Sequence, residues 1–210
     1  MREHEVNSLD TFIKGWYIDD SDTICNYLIN KFESIDNPKL KAPANVHQPV
    51  SKNFKESIDW TLDNDSLVLQ PFVKKLVKVT NRYIDIFPKC DAYSSFGLVE
   101  NVNLQKYEPG MAFRGWHSEN CTARNPQTTR HLVFMTYLND VEEGGETEWY
   151  HQKLKIKPEK GLTVVWPADW TYTHRGCECN HTKYILTGWL NYISDEAQIS
   201  QKLQKVLDEA

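Results

Sequence analysis

Long apolar runs are missing from this chain, and so are low-complexity tracts and internal repeats. No stretch approaches the roughly 20 apolar residues that a membrane-spanning helix needs, so no membrane span is expected. The opening MREHEVNSLD lacks the apolar core of a signal peptide, and a cytoplasmic location is the expectation. Without a period of repetition, solenoid and propeller architectures drop out. The five cysteines, Cys25, Cys90, Cys121, Cys177 and Cys179, are an odd set without the spacing of a disulfide framework, which fits free thiols in a reducing compartment. Positive charge is in deficit: 24 Lys and Arg against 29 Asp and Glu leave a formal charge of -5. That balance argues against bulk attraction to nucleic acid or to an anionic membrane, and neither partner is expected.

What is present is an ordinary globular composition, 40% apolar, 25% charged and 12% aromatic, over 210 residues. Such a length buries one good core and is short for two, so residues 1–210 are expected to form a single domain. Asp20-Ser21-Asp22 offers an N-cap before Ile24, Tyr27, Leu28 and Phe32, which recur at helical spacing. A second, longer helix is predicted from Pro71 through Phe72, Leu76, Val77, Tyr83 and Ile84, closed by Pro88. Between them, Asp36 to Asn53 carries three prolines and no periodicity and is predicted to be a loop. From about Ser95 the pattern changes to short β-type runs: Val102 and Leu104, Leu132 to Leu138, Leu154 and Ile156, Leu162 to Trp166, and Tyr184 to Tyr192. Strands following helices, with turn signals between them, argue for a mainly β (α+β) fold with a jelly-roll core over 95–195 and helical support from 1–94. Asp195 to Leu207 reads as a final amphipathic helix within a carboxy-terminal segment 196–210.

Three side chains match a metal site in type: His117 and Glu119 in one segment, and His174 far downstream. Residues two apart in an extended segment project to one face, so His117 and Glu119 can reach the same ion. Two neutral imidazoles and one carboxylate suit iron(II) and leave positions open for small ligands. Exposed or satisfied core residues are the competing reading for such a trio.

An ordered run of motifs changes the weighting, because 107–189 resembles the catalytic core of the prolyl 4-hydroxylase-like 2-oxoglutarate oxygenases. Tyr107-Glu108-Pro109-Gly110 is similar to that family's Tyr-x-x-Gly, and His117-Ser118-Glu119-Asn120 to its His-x-Asp-Asn. Tyr137-Leu138-Asn139 resembles the end of its Tyr-Leu-Asn strand, Gly144 to Thr147 its Gly-Gly-Glu-Thr, and Pro158 to Gly161 its Pro-x-x-Gly turn. His174, Lys183 and Trp189 follow in the family's order. About half the chain is covered, and the residues before about Ser95 match loosely. One position departs: the family has aspartate where this chain has Glu119. Glutamate keeps the charge and the oxygen donor but carries the carboxylate one methylene further out, and iron binding is expected to survive.

The resemblance implies a double-stranded β-helix (cupin-like) and an iron(II)- and 2-oxoglutarate-dependent dioxygenase, with dioxygen as cosubstrate and ascorbate a candidate further cofactor. Its metal and catalytic residues would be His117, Glu119 and His174. A keto acid dianion needs a cation and hydroxyl donors in a closed pocket. Lys183 would supply the cation, with Tyr107, Tyr137 and Thr187 as hydroxyl donors. A lysine at that place favours the prolyl 4-hydroxylase type of pocket over the arginine-bearing branches. Arg130, Trp189 and Arg114 are candidates for contact with substrate, although exposure is the competing expectation for the arginines. The implied reaction hydroxylates an unactivated carbon, with a prolyl residue in a peptide or protein as the first substrate class. A small molecule or free amino acid is the alternative, and a catalytically silent β-helix binding protein is the alternative of another class. Cys177-Glu178-Cys179 with His174 and His181 is also compatible with zinc, but Cys-x-Cys without a second pair is a poor structural zinc signature.

Overall fold

The computed structural model describes residues 1–5, 11–37, 40–43 and 51–193. In chain order its elements are β1 (Arg2–His4), β2 (Lys14–Tyr17), α1 (Ser21–Glu33), β3 (Lys41–Pro43), β4 (Ile58–Leu62), α2 (Gln70–Ile86), β5 (Phe96–Gly97), β6 (Val102–Tyr107), β7 (Arg130–Tyr137), β8 (Thr147–Trp149), β9 (Leu154–Ile156), β10 (Leu162–Pro167), β11 (His174–Gly176) and β12 (Lys183–Tyr192). Both predicted helices are present, and the five predicted strand runs fall on β6, β7, β9, β10 and β12. The predicted tail helix, Asp195 to Leu207, lies outside the described residues. Asp20 does precede α1, but its side chain caps nothing; it takes a left-handed backbone conformation and pairs with Lys75 of α2 at 2.6 Å. The Pro-rich segment is not wholly a loop, because Lys41–Pro43 adds an edge strand to β4.

Two antiparallel sheets face one another. The larger has nine strands in the order β1-β2-β10-β7-β12-β6-β4-β3, with β5 added on β12, and the smaller has three in the order β11-β8-β9. This is the double-stranded β-helix arrangement. Period-two alternation divides the large sheet into an outer face under the helices and an inner face toward the small sheet. Along β12, Leu186 and Leu190 join Phe32 of α1 and Phe72 and Leu76 of α2 in one apolar cluster. Their neighbours Ile185 and Trp189 turn the other way, into a second cluster with Met135, Trp149 and Trp166. Gly188 is fitted to the outer face: a Cβ there would come within 2.6 Å of the Phe134 ring. The inner face holds the site.

Candidate metal centre

The loop after β6 runs back along the small sheet, so that His117 and His174 form an isolated antiparallel bridge and exchange two backbone hydrogen bonds of 3.0 and 2.8 Å. Glu119 and Asn120 then donate their N–H groups to the carbonyl of Ala168, just beyond β10, at 3.1 and 2.9 Å. The 117–119 segment and the distant His174 are thereby fixed together by backbone contacts. Their ligand atoms converge to within 4.8 Å of one another, the one such metal-capable group among the described residues. Glu119 Oε1 lies 3.5 Å from His117 Nε2 and 3.6 Å from His174 Nε2.

Hydrogen bonding selects the tautomers. His117 Nδ1 faces the carbonyl of Gly115 at 2.9 Å, and His174 Nδ1 faces that of Tyr172 at 3.0 Å. A carbonyl only accepts, so each Nδ1 carries a proton and each Nε2 of the neutral ring presents a lone pair inward. Burial, and then the neighbouring His117, hold the His174 pKa down to about 3, so it remains neutral. Burial opposes ionisation of Glu119, but its hydrogen bond and charge interaction with His117, followed by His174 and Arg130, bring its pKa down to about 2. Two imidazole nitrogens and a carboxylate aimed at one point form a donor set that fits iron(II).

The same atoms open onto a cavity of about 140 Å³ between the sheets. From β12, Lys183, Ile185, Thr187 and Trp189 line it; from β6, Asn103, Gln105 and Tyr107. Lys183 and Tyr107 are direct partners across the β6–β12 ladder. Lys183 is only 3% exposed, contrary to the usual fate of a strand lysine. Its ammonium donates to the carbonyl of Gly145 at 2.9 Å and lies 4.9 Å from the Tyr107 ring centre, with no carboxylate ion pair among the described residues. Burial lowers its pKa from 10.5 to about 8. A buried cation without a counter-charge is costly, and a dianion entering the cavity would relieve the cost.

The other expected residues divide. Tyr107 donates to Gln105 Oε1 at 2.8 Å on the cavity wall, and burial raises its pKa well above 10, so it stays a donor. Thr187 lines the cavity while donating to the Phe134 carbonyl at 3.1 Å. Tyr137 stands one step behind the wall: its hydroxyl is engaged with Thr147 Oγ1 at 2.7 Å and the Ile156 carbonyl at 3.2 Å, and Thr147 is the residue that reaches the cavity. Trp189 forms a wall of the cavity, as expected. Arg114 does not line it; it ties Glu178 and the carbonyls of Gly110 and Lys52 together. Arg130 is neither solvated nor on the cavity wall. Its side chain is 10% exposed, grips Glu100 through Nε and Nη2 at 2.8 and 2.7 Å, and reaches Glu119 Oε2 through Nη1 at 3.2 Å. No cysteine cluster forms: Cys179 Sγ bonds the His181 carbonyl, Cys177 lies by Glu148, and Cys121 is exposed. Trp170 is 65% exposed.

Lining residues that motif matching passed over, Asn103, Gln105, Met135 and Ile185, lie two or four positions from Tyr107, Tyr137 and Lys183 on the same strands. Counting in twos from those residues finds them. Lys55, from the segment before β4, also lines the cavity and is held by Asp59 at 2.9 Å.

Comparison with known proteins agrees with this geometry. Residues 102–191 match the 2OG-Fe(II) oxygenase superfamily. That match covers less than half of the chain and is centred on the strands that build the cavity. The chain is 32% identical over 116 residues to probable prolyl 4-hydroxylase 9 of Arabidopsis thaliana, covering 43% of this chain and 40% of that protein. It is 26% identical over 164 residues to prolyl 4-hydroxylase 13 of the same plant, covering 67% of this chain and 56% of that one. The chain thus spans about half the length of these curated relatives. Two solved structures share its fold. The viral collagen prolyl hydroxylase of Paramecium Bursaria Chlorella virus-1, in its 2OG complex, superposes with a TM-score of 0.61 at 21% identity over 87% of this chain and 97% of that one. The Trichoplax adhaerens prolyl hydroxylase bound to a hypoxia inducible factor peptide fragment gives 0.67 at 15% identity over 87% and 84%. Among the described residues no helix is long and apolar enough to cross a membrane.

Proposed function

We propose that this chain is an iron(II)- and 2-oxoglutarate-dependent dioxygenase that hydroxylates a prolyl residue in a peptide or protein. The observation that carries the reading is Lys183, a buried cation without a carboxylate partner, in the same small cavity as the convergent His117, Glu119 and His174. A metal at one point and a cation across a narrow cavity suit a dicarboxylate that engages both. Iron with 2-oxoglutarate and dioxygen supplies the difficult chemistry, oxidative decarboxylation to succinate and carbon dioxide coupled to hydroxylation of an unactivated carbon.

The chain's own residues bind, orient and exclude water. His117 and His174 hold the metal through Nε2 because their Nδ1 protons are committed to carbonyls, and Glu119 adds the charge. Lys183 holds the remote carboxylate of the cosubstrate, with Tyr107 and Thr187 beside it. Tyr137 acts one residue back, fixing Thr147. Met135, Trp166 and Ile185 give the cavity an apolar lining that keeps water out. Proline as the target rests on the relatives, which are named prolyl hydroxylases.

The test incubates the protein with iron(II), ascorbate and 2-oxoglutarate in air and measures succinate. Proline-containing peptides are expected to raise succinate above the uncoupled background and gain oxygen mass. Succinate that only free amino acids stimulate would replace the substrate class. No succinate under any condition, with no anaerobic absorption band from iron and 2-oxoglutarate, would leave a silent binding protein.

A further inference from the structure

We infer that Arg130 is a positioning residue of the metal centre: it takes one oxygen of Glu119 and so presents the other, alone, to the two imidazoles. The inference rests on the proposed assignment of His117, Glu119 and His174 as ligands, and it gives a physical reason why the longer acid can stand at this position. A glutamate has one more side-chain torsion than an aspartate, so an unrestrained carboxylate here would sample several orientations. Arg130 removes that freedom. Its Nη1 reaches both ends of the residue, the backbone carbonyl of Glu119 at 3.3 Å and Oε2 at 3.2 Å, and Oε1 is left facing both Nε2 atoms.

The guanidinium is itself held on every side. Nε and Nη2 form a fork on the two oxygens of Glu100, and the planar group lies 3.4 Å from the centre of the Trp189 ring. Glu100 accepts a further hydrogen bond from Asn191 at 2.8 Å, and Asn191 is anchored on the Pro126 carbonyl and Thr129. Arg130 opens β7, Glu100 precedes β6 and Asn191 closes β12, so three neighbouring strands converge on one carboxylate. A planar group with several fixed donors holds two carboxylates in one defined geometry, which the compact, rotatable ammonium of a lysine does not reproduce. An arginine so occupied is not free to bind a substrate, which moves Arg130 from the recognition surface to the support of the metal.

The test is anaerobic titration of the full chain with cobalt(II), followed by its visible absorption bands. Replacing Arg130 alone would leave the buried Glu100 charge without its cation, so the pair is changed together in Glu100→Gln/Arg130→Gln, with retained fold checked by circular dichroism. This variant is expected to bind cobalt(II) about 10- to 100-fold more weakly, the usual loss when a ligand's supporting partner is removed, with altered bands. Arg130→Lys, which keeps the charge, is expected to keep wild-type thermal stability more closely than Arg130→Gln without restoring the bands. In a Glu119→Asp background, where there is one torsion fewer to restrain, the same double replacement should cost at least about threefold less than in the parent. Equal losses in both backgrounds, or wild-type affinity and bands in the double variant, would overturn the inference. Cobalt(II) binding that survives both His174→Ala and Glu119→Ala would remove the ligand assignment itself, and the inference with it; binding abolished by those variants but indifferent to Arg130 would overturn the inference alone.

Discussion

The two faces of β12 are built from alternate residues of one strand and follow opposite rules. On the outer face, Leu186 and Leu190 pack under the helices in an apolar cluster. On the inner face, Lys183, Thr187 and Trp189 meet a cavity, and the charges are arranged for something the chain does not itself provide. A residue on the first face contributes to stability. One on the second costs stability when the cavity is empty and contributes binding when it is filled.

Breaking the inner face should therefore abolish activity while sparing the fold, and the largest effect is expected at the metal ligands. Replacing His174 or Glu119 by alanine should reduce succinate formation to background, with the fold retained by circular dichroism. Substituting Lys183 by methionine comes next. Truncating one member of a buried charge pair costs roughly 2–5 kcal/mol, so 2-oxoglutarate binding should weaken by about 30- to 5000-fold in an anaerobic titration, without loss of metal-free stability. Leu186→Ala, one strand face away, should reverse the pattern. It should lose about 2–5 kcal/mol of unfolding free energy in a denaturant titration and leave 2-oxoglutarate affinity nearly unchanged.

The pH dependence sharpens the same contrast. Lys183 has its pKa lowered from 10.5 to about 8 in the folded, ligand-free protein. A lowered lysine pKa means that the folded state binds protons less readily than the unfolded chain, so the cost is fully present below about 8 and is lifted as pH rises from about 8 toward 10.5. A bound dianion needs the charged form. Its affinity should be level below pH 8 and fall above it, approaching about tenfold per pH unit, and the Lys183→Met protein should show no such inflection. A smaller effect is expected for Tyr107→Phe, which loses one hydrogen bond to Gln105; about 0.5–1.5 kcal/mol, or a few-fold in 2-oxoglutarate affinity, is the scale.

Much of the division was legible in the chain itself. Short β-type runs bounded by turn residues assigned the long strands over Leu132 to Leu138 and Tyr184 to Tyr192, and the spacing of Ile24, Leu28 and Phe32 found α1. Strands of two to five residues, such as β5, β8 and β11, are too short to display a period, and pairing with distant partners defines them instead. The pairing of His117 with His174 was suggested by motif order alone, since no local pattern links residues so far apart. Arg130 shows where residue type misleads: an arginine at the start of a strand reads as a surface group, and only its contacts with Glu100, Glu119 and Trp189 reveal a buried support. Tyr137 illustrates the reverse, a phenol expected at the ligand whose hydroxyl is held one residue behind it.

The central claim is that the inner face of β12 is a receptor for a dicarboxylate spanning a metal and Lys183. Its most direct test is anaerobic calorimetric titration of 2-oxoglutarate into the iron(II)-loaded protein, its Lys183→Met variant and its Leu186→Ala variant. Saturable one-to-one binding to the parent and to Leu186→Ala, with the large loss confined to Lys183→Met, is the predicted result. Equal affinity of the parent and Lys183→Met would contradict it.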